Sequence, residues 1–276
     1  MEGGAMRGMF TAGVTDVLME AGVEPQGAVG VSAGATFGCN YKSRQIGRAL
    51  RYNKRFCADP RYGSMRSFLH SGDVFDVEFC YDIIPNELDP FDSETFASSP
   101  MEFYVVATNA HTGGPEYHRC TDGGENDLQW IRASASIPLA SRIVELEGMD
   151  LVDGGVADSI PLEFMEGCGY EHNIVILTQP ADFEKKRYKE MPLFRATLRK
   201  YPSLVQALNY RHLRYNAQTA YVRDREREGM AFVFRPPAPL DISPLTNKPQ
   251  ELQRVYDIGR TEAEARLSEL TEWLAQ

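Results

Sequence analysis

Ala28-Val29-Gly30-Val31-Ser32-Ala33-Gly34 is the stretch that decides the fold. Ala28 to Val31 is a short apolar run of the kind that forms a buried strand. From Ser32 a run of small residues towards Tyr41 predicts a helix. A strand passing directly into a helix needs a sharp, strained turn at Ser32. Gly30 and Gly34 let the strand and helix backbones pass without a Cβ clash. The Ser32 hydroxyl then projects at a helix N-terminus, where free N–H groups favour developing negative charge. Small residues of this pattern also occur in ordinary helix-starting turns. The strand before and the helix after make Ser32 a candidate nucleophile.

A nucleophilic serine that attacks a carbonyl creates an oxyanion, which requires preorganised N–H donors. Gly3-Gly4-Ala5-Met6-Arg7-Gly8 is a loop rich enough in glycine to supply them. A helix over Met9 to Ala21 follows, with Gly22 as its stop. No Gly-Lys-Ser/Thr follows the loop, which excludes a Walker loop, and the spacing is not that of a dinucleotide fingerprint. A strand would normally lead into such a loop. Here only Met1 and Glu2 precede it, so that strand is reduced to a stub or lies outside this sequence.

The serine also needs a partner for its proton. The five histidines, His70, His111, His118, His172 and His212, sit in no distinctive motif and read as surface or capping residues. Asp153-Gly154-Gly155 follows the apolar Leu151-Val152 and places a carboxylate at a strand end. With partial desolvation Asp153 can accept a proton directly. An Asp-Gly pair is equally an ordinary turn.

Elsewhere, 103–107 and 173–177 read as buried strands, 128–135 as a helix and 146–152 as a hairpin-like element. Residues 183–228 read as helix broken at Pro192 and Pro202, 232–234 as a last strand, and the chain from Pro249 as an amphipathic helix. Residues 42–100 are a mixture of helices and loops without a firm reading. Apolar strands alternating with helices predict an α/β fold with a parallel or mixed sheet covered on both faces.

The ordered set GGAMRG at 3–8, GVSAG at 30–34 and DGG at 153–155 resembles the patatin-like phospholipase family. VVATNAHTGG at 105–114 and RASASIPLA at 132–140 add to the likeness, which covers residues 2–180. The 232–245 stretch and the helix after it resemble a bacterial subgroup. The resemblance implies a three-layer α/β/α sandwich with a mixed, mostly parallel central sheet and C-terminal helices. It implies a Ser-Asp dyad of Ser32 and Asp153, with Gly3, Gly4, Arg7 and Gly8 in the oxyanion loop and Gly30, Gly34, Gly154 and Gly155 supporting the motifs. The N–H of Ala33 is a further donor. The expected activity is acyl-ester hydrolysis of a lipid through an acyl-enzyme. The alternatives are an inactive acyl-binding protein on the same scaffold and an α/β-hydrolase with a Ser-His-Asp triad. The early position of Ser32 argues against the triad.

The 276 residues are read as a catalytic core over 1–180 and a mainly helical extension over 181–276, together one structural domain. Net charge is −10, which disfavours a nucleic-acid partner. Five cysteines without a CxxC pair argue against a disulfide framework or zinc site and for reduced thiols. No metal or other cofactor is expected. No signal pattern and no apolar run of about 20 residues appears, so a cytoplasmic location is expected. Between Lys185 and Arg225 eleven Lys or Arg face two Asp or Glu. This basic 185–225 segment is either a peripheral contact for anionic membrane or a solvated face packed against the acidic remainder. Oligomeric state and acyl and headgroup preference are not legible.

Overall fold

The computed structural model covers residues 1–276. In chain order the elements are α1 (Gly8–Glu20), β1 (Gly27–Val31), α2 (Ala33–Lys42), α3 (Arg48–Phe56), α4 (Met65–Ser71), α5 (Ser93–Ser98), β2 (Glu102–Asn109), β3 (Pro115–Cys120), α6 (Glu125–Ser134), β4 (Val144–Leu146), β5 (Met149–Asp153), α7 (Leu162–Gly167), β6 (Asn173–Ile176), α8 (Met191–Thr197), α9 (Pro202–Arg227), β7 (Ala231–Phe234) and α10 (Pro249–Leu274). The α/β architecture is the expected one, a mixed sheet surrounded by helices.

Strand β2 organises the sheet. β3 takes one edge antiparallel, from Phe103↔Cys120 to Thr108↔Pro115. β1 lies along the other edge in parallel and ends at Val31↔Val106. The next position on β2, Ala107, is paired with Asp153 of antiparallel β5. Because Ala107 and Thr108 also pair with β3, β5 must share the edge that β1 occupies. β1 and β5 therefore run towards each other along one edge of β2, and their C-terminal ends meet. β4 adds to β5 antiparallel. β6 and β7 pair in parallel as a separate two-stranded sheet. Parallel pairs are thus confined to β1–β2 and β6–β7, a larger antiparallel share than a mostly parallel sheet would have. The extra antiparallel strands come from local hairpins, β2–β3 and β4–β5, whose short turns can reverse the chain but cannot cross over.

Met1 and Glu2 lie between the two sheets. Val31 N–H donates to the Met1 carbonyl at 3.2 Å and Glu2 N–H to the Ile176 carbonyl at 3.0 Å. These two residues bridge β1 and β6 and so join the two sheets.

Helix α1 buries eleven of its thirteen residues. It packs on α2 and, most extensively, on α10. The α1–α10 crossing is a backbone contact. A Cβ on Gly13 would lie 2.2 Å from the Tyr256 carbonyl oxygen, and one on Gly259 would lie 2.1 Å from that of Phe10. Leu252, Val255, Tyr256, Ala263 and Leu270 carry the apolar face of α10 into the core, whereas Leu274 is exposed. Phe232 and Phe234 of β7 join the same core cluster. No helix is long and apolar enough to cross a membrane.

The 183–228 stretch differs from the sequence-based expectation, and two others carried no firm one. Residues 183–190 are not helical, and Pro192 and Pro202 open α8 and α9 instead of breaking one helix. Proline is suited to a first helical turn because its missing N–H would have no partner there. β3 reads PEYHRC and lacks the apolar alternation that marks a strand. Residues 42–100 hold three short helices and a π-helix over Phe79–Leu88 with Pro85 inside it. Gly259→Val should force α1 and α10 apart and destabilise the fold by about 3 kcal/mol. Thermal unfolding measures this, and an unchanged melting temperature would refute the close helix crossing.

Candidate active site

Ser32 stands at the exit of β1 with φ 54° and ψ −121°. This is a left-handed conformation that non-glycine residues avoid. The local packing imposes it. A Cβ on Gly30 would lie 2.4 Å from the Gly34 carbonyl oxygen, and one on Gly34 would lie 2.4 Å from that of Met1. The two motif glycines thus let β1, α2 and the first residues of the chain close on one another. Ser32 N–H donates to the Ser134 hydroxyl at 2.8 Å, which ties the turn to the end of α6. Ser134 lies within the 132–140 stretch, but the sequence alone assigned it no role.

Asp153 ends β5 and is buried. Its N–H donates to the Ser136 carbonyl at 2.9 Å. The Thr108 hydroxyl donates to its carbonyl at 2.8 Å. Its carboxylate accepts from Gly155 N–H at 2.8 Å. Gly154 lets the chain turn over β2, since a Cβ there would lie 2.1 Å from the Val106 carbonyl oxygen. Because β1 and β5 end against each other, Ser32 and Asp153 face one another across the junction. The Ser32 hydroxyl is close enough to weigh on the ionisation of Asp153. Burial pushes the Asp153 carboxyl above the ordinary aspartate range, while Arg211, Ser32, Gly155 and Lys185 pull it back. The result is a carboxylate of raised basicity beside a serine hydroxyl, which is what proton acceptance requires.

The glycine-rich loop lies against this pair. A Cβ on Gly3 would be 2.8 Å from the Ser32 Cβ, and one on Gly8 would be 2.9 Å from the Ala33 Cβ. Gly4 packs on Thr178, whose hydroxyl donates to the Gly3 carbonyl at 2.9 Å. The N–H groups of Gly3, Gly4, Ala5 and Ala33 donate to no acceptor within the chain. Ala5 and Ala33 line the same cavity as Ser32. The structure thus brings an apolar cavity, a serine and unpaired N–H donors together. The Arg7 side chain is not among the cavity-lining residues, and its Nε has no hydrogen-bond partner.

The cavity has a volume of about 120 Å³. Phe37, Tyr52, Phe75, Tyr81, Ile84 and Leu128 supply much of its wall. The largest share of the lining comes from residues 42–100, the region that the sequence left unread.

None of the five histidines lines the cavity or hydrogen-bonds to Ser32 or Asp153. His111 pairs with Asp150 and His118 with Asp127, each at 2.8 Å. His172 packs edge-on against Trp273. His118, Cys120 and Asp127 form a separate polar cluster between β3 and α6. There Asp127 also accepts three backbone N–H groups, from Thr121, Asp122 and Gly123.

On the α9 side, two residues that sequence reasoning missed, Arg211 and Lys185, approach Asp153. Arg211 Nε donates to the Gly155 carbonyl and its guanidinium to the Tyr188 hydroxyl. Lys185 stands 4.5 Å from the Tyr215 ring centre, and burial pushes its ammonium down to about 8. No local motif marks these residues, which belong to the basic 185–225 segment.

Comparison with known proteins agrees with this geometry. Residues 201–275 match a domain of unknown function, DUF6363. The uncharacterized protein YjjU of Escherichia coli is 29% identical over 266 residues, covering 94% of this chain and 73% of its own length. The lysophospholipase nte1 of Aspergillus fumigatus is 29% identical over 178 residues, covering 60% of this chain, and this chain spans 11% of that protein's length. The nte1 lysophospholipase of Aspergillus terreus is 30% identical over 178 residues. Residues 1–165, which carry the glycine-rich loop, the strained serine and the strand-end aspartate, match the patatin-like phospholipase profile, and the chain belongs to that family.

Proposed function

We propose that the protein is a serine-dependent lipid acyl hydrolase of esterase or phospholipase type, working through Ser32 and Asp153. The observation that carries this reading is the meeting of β1 and β5, which sets a strained serine against a buried carboxylate at the wall of an apolar cavity. In the first step Asp153 takes the Ser32 proton as the oxygen attacks the ester carbonyl. The N–H groups of the Gly3–Gly8 loop and of Ala33 receive the oxyanion. The alcohol then departs with the proton held by Asp153, leaving an acyl-Ser32. Asp153 next deprotonates a water that attacks the acyl-enzyme, and the fatty acid leaves as Ser32 regains its proton. The acyl chain occupies the apolar cavity, where its burial is worth about 0.8 kcal/mol per methylene. The chemistry needs no metal. Residues 1–180 and 181–276 act as one unit in this reading, since β7 and α10 pack into the core that holds α1.

A peripheral membrane contact belongs to the same proposal. Lys186, Arg187, Lys189, Arg195, Arg199 and Lys200 are exposed on one continuous stretch with Leu193. Cations around an exposed leucine suit an anionic lipid surface.

Ser32→Ala and Asp153→Asn should each lower hydrolysis of a p-nitrophenyl acyl ester by about 10³-fold or more, with a fluorophosphonate probe labelling Ser32 in the wild type. Near wild-type turnover in either variant refutes the dyad, and absence of labelling favours an inactive acyl-binding protein. The Asp153→Asn variant should remain folded at neutral pH, because an aspartate raised by burial loses stability as it ionises with rising pH. The same shift sets the acid limb of kcat/KM. Asp153 accepts a proton only when ionised, so activity should fall with decreasing pH above the ordinary aspartate value of about 3.9. An acid limb at or below that value would contradict the burial of the base. Vesicles containing anionic lipid should sediment the protein, and equal sedimentation with neutral vesicles would remove the electrostatic contact.

A further inference from the structure

The apolar cavity accounts for one side of Ser32. Outside that cavity stand Arg211 and Lys185, close enough to weigh on Asp153, and Arg7, close enough to weigh on Lys185. Arg7, Lys185 and Arg211 come from three different places in the chain: the glycine-rich loop, the irregular segment before α8, and α9. None of the three has a carboxylate within 4.0 Å, although sixteen ion pairs form elsewhere in the molecule. All three are half-buried. Like charges drawn together without counter-ions are unfavourable unless something negative is meant to join them.

The group is held in place by contacts to neutral atoms. Asn216 of α9 clips the Lys185 backbone on both sides, accepting from its N–H at 2.9 Å and donating to its carbonyl at 3.1 Å. The Lys185 ammonium sits over the Phe183 and Tyr215 rings, 5.7 and 4.5 Å from their centres. Arg211 is fixed by the Gly155 carbonyl and the Tyr188 hydroxyl. A Cβ on Gly155 would stand 3.0 Å from the Arg211 guanidinium and 3.0 Å from the Asp153 carboxylate, so a single glycine separates the cation from the base. The buried carboxylates nearby are Glu2, engaged by Tyr215 and the Thr178 N–H, and Asp153 itself. Glu2 and Asp153 are the carboxylates that weigh on Lys185, against the cations Arg211 and Arg7.

We propose that Arg7, Lys185 and Arg211 bind a phosphate group carried on the alcohol side of the ester, so that the segment beyond residue 180 selects anionic acyl esters over neutral ones. The proposal rests on the dyad reading, because it places the phosphate opposite the acyl cavity across Ser32. An ester bound this way has its chain in the apolar wall and its leaving alcohol, with the phosphate attached, towards α9. Lys185 and Arg211 are specificity-determining residues supplied from outside the region that matches the family profile.

The test compares a short-chain lysophosphatidate with a monoacylglycerol of the same acyl chain, both below their micelle concentrations. The readout is the ratio of the two kcat/KM values. The wild type should prefer the phosphate ester, and Lys185→Gln should lower the ratio by about tenfold, the worth of one charged hydrogen bond. Lys185→Arg should restore it. Arg211→Gln should lower the ratio in the same direction, which guards against failure of one variant to fold. General damage lowers both rates and leaves the ratio alone, so an unchanged ratio in folded Lys185→Gln and Arg211→Gln overturns the proposal. Inorganic phosphate that inhibits monoacylglycerol turnover while Lys185→Gln keeps the wild-type ratio also overturns it, by assigning the cations to a free anion. A wild type that hydrolyses neither ester defeats the dyad reading instead.

Discussion

β2 has two edges, and β3 covers one of them along its length. The other edge must hold two strands, β1 and β5, which approach from opposite directions and stop where they meet. A strand that cannot continue has to turn, and each of the two turns sharply. β1 turns into α2 through a left-handed serine. β5 turns over β2 through a glycine that no side chain could replace. The backbone strain at Ser32 is therefore a product of strand competition for one edge, and the surrounding contacts over-determine it. Ser32 and Asp153 are both buried at this junction, and burial raises the basicity of Asp153. The strained backbone of Ser32 and the raised basicity of Asp153 share this single topological cause.

The site has two sides of different chemistry. Aromatic and aliphatic side chains from the 42–100 region wall the cavity next to Ser32, and cations from the 181–227 region stand beyond Asp153. Neither region contains Ser32, Asp153 or the glycine-rich loop, and the two form a housing around the core that carries those three motifs. Relatives that match only part of the chain share the core without necessarily sharing this housing.

Local signals were legible and non-local ones were not. Ser32 and the glycine-rich loop announced themselves because a sharp turn needs glycine at fixed offsets, whereas Asp153-Gly154-Gly155, an ordinary turn by itself, drew its weight from the ordered set of three motifs. The α1, α2, β1, β2, β6 and α10 elements were readable from apolar periodicity. β3 was not, because its sequence has almost no apolar alternation and its pairing with β2 defines it. The 42–100 region was opaque because its helices are short and one stretch winds as a π-helix through a proline. Pro192 and Pro202 were read as interruptions when they are starts. Lys185 and Arg211 had no local signature at all. Their meaning depends on α9 crossing the end of β5, which no window of sequence contains.

The close crossing of α1 and α10 bears on how the molecule comes to be made. α1 directly follows the glycine-rich loop and leaves the ribosome long before its partner, α10. Until residues 249–274 emerge, a helix that buries nearly all its residues in the finished protein has one flank bare, with a glycine groove open to any apolar chain nearby. Synthesis at ordinary rates leaves that flank waiting for about ten seconds or more. The flank of α1 is thus closed only when α10 arrives, long after the segment holding Ser32 has been made.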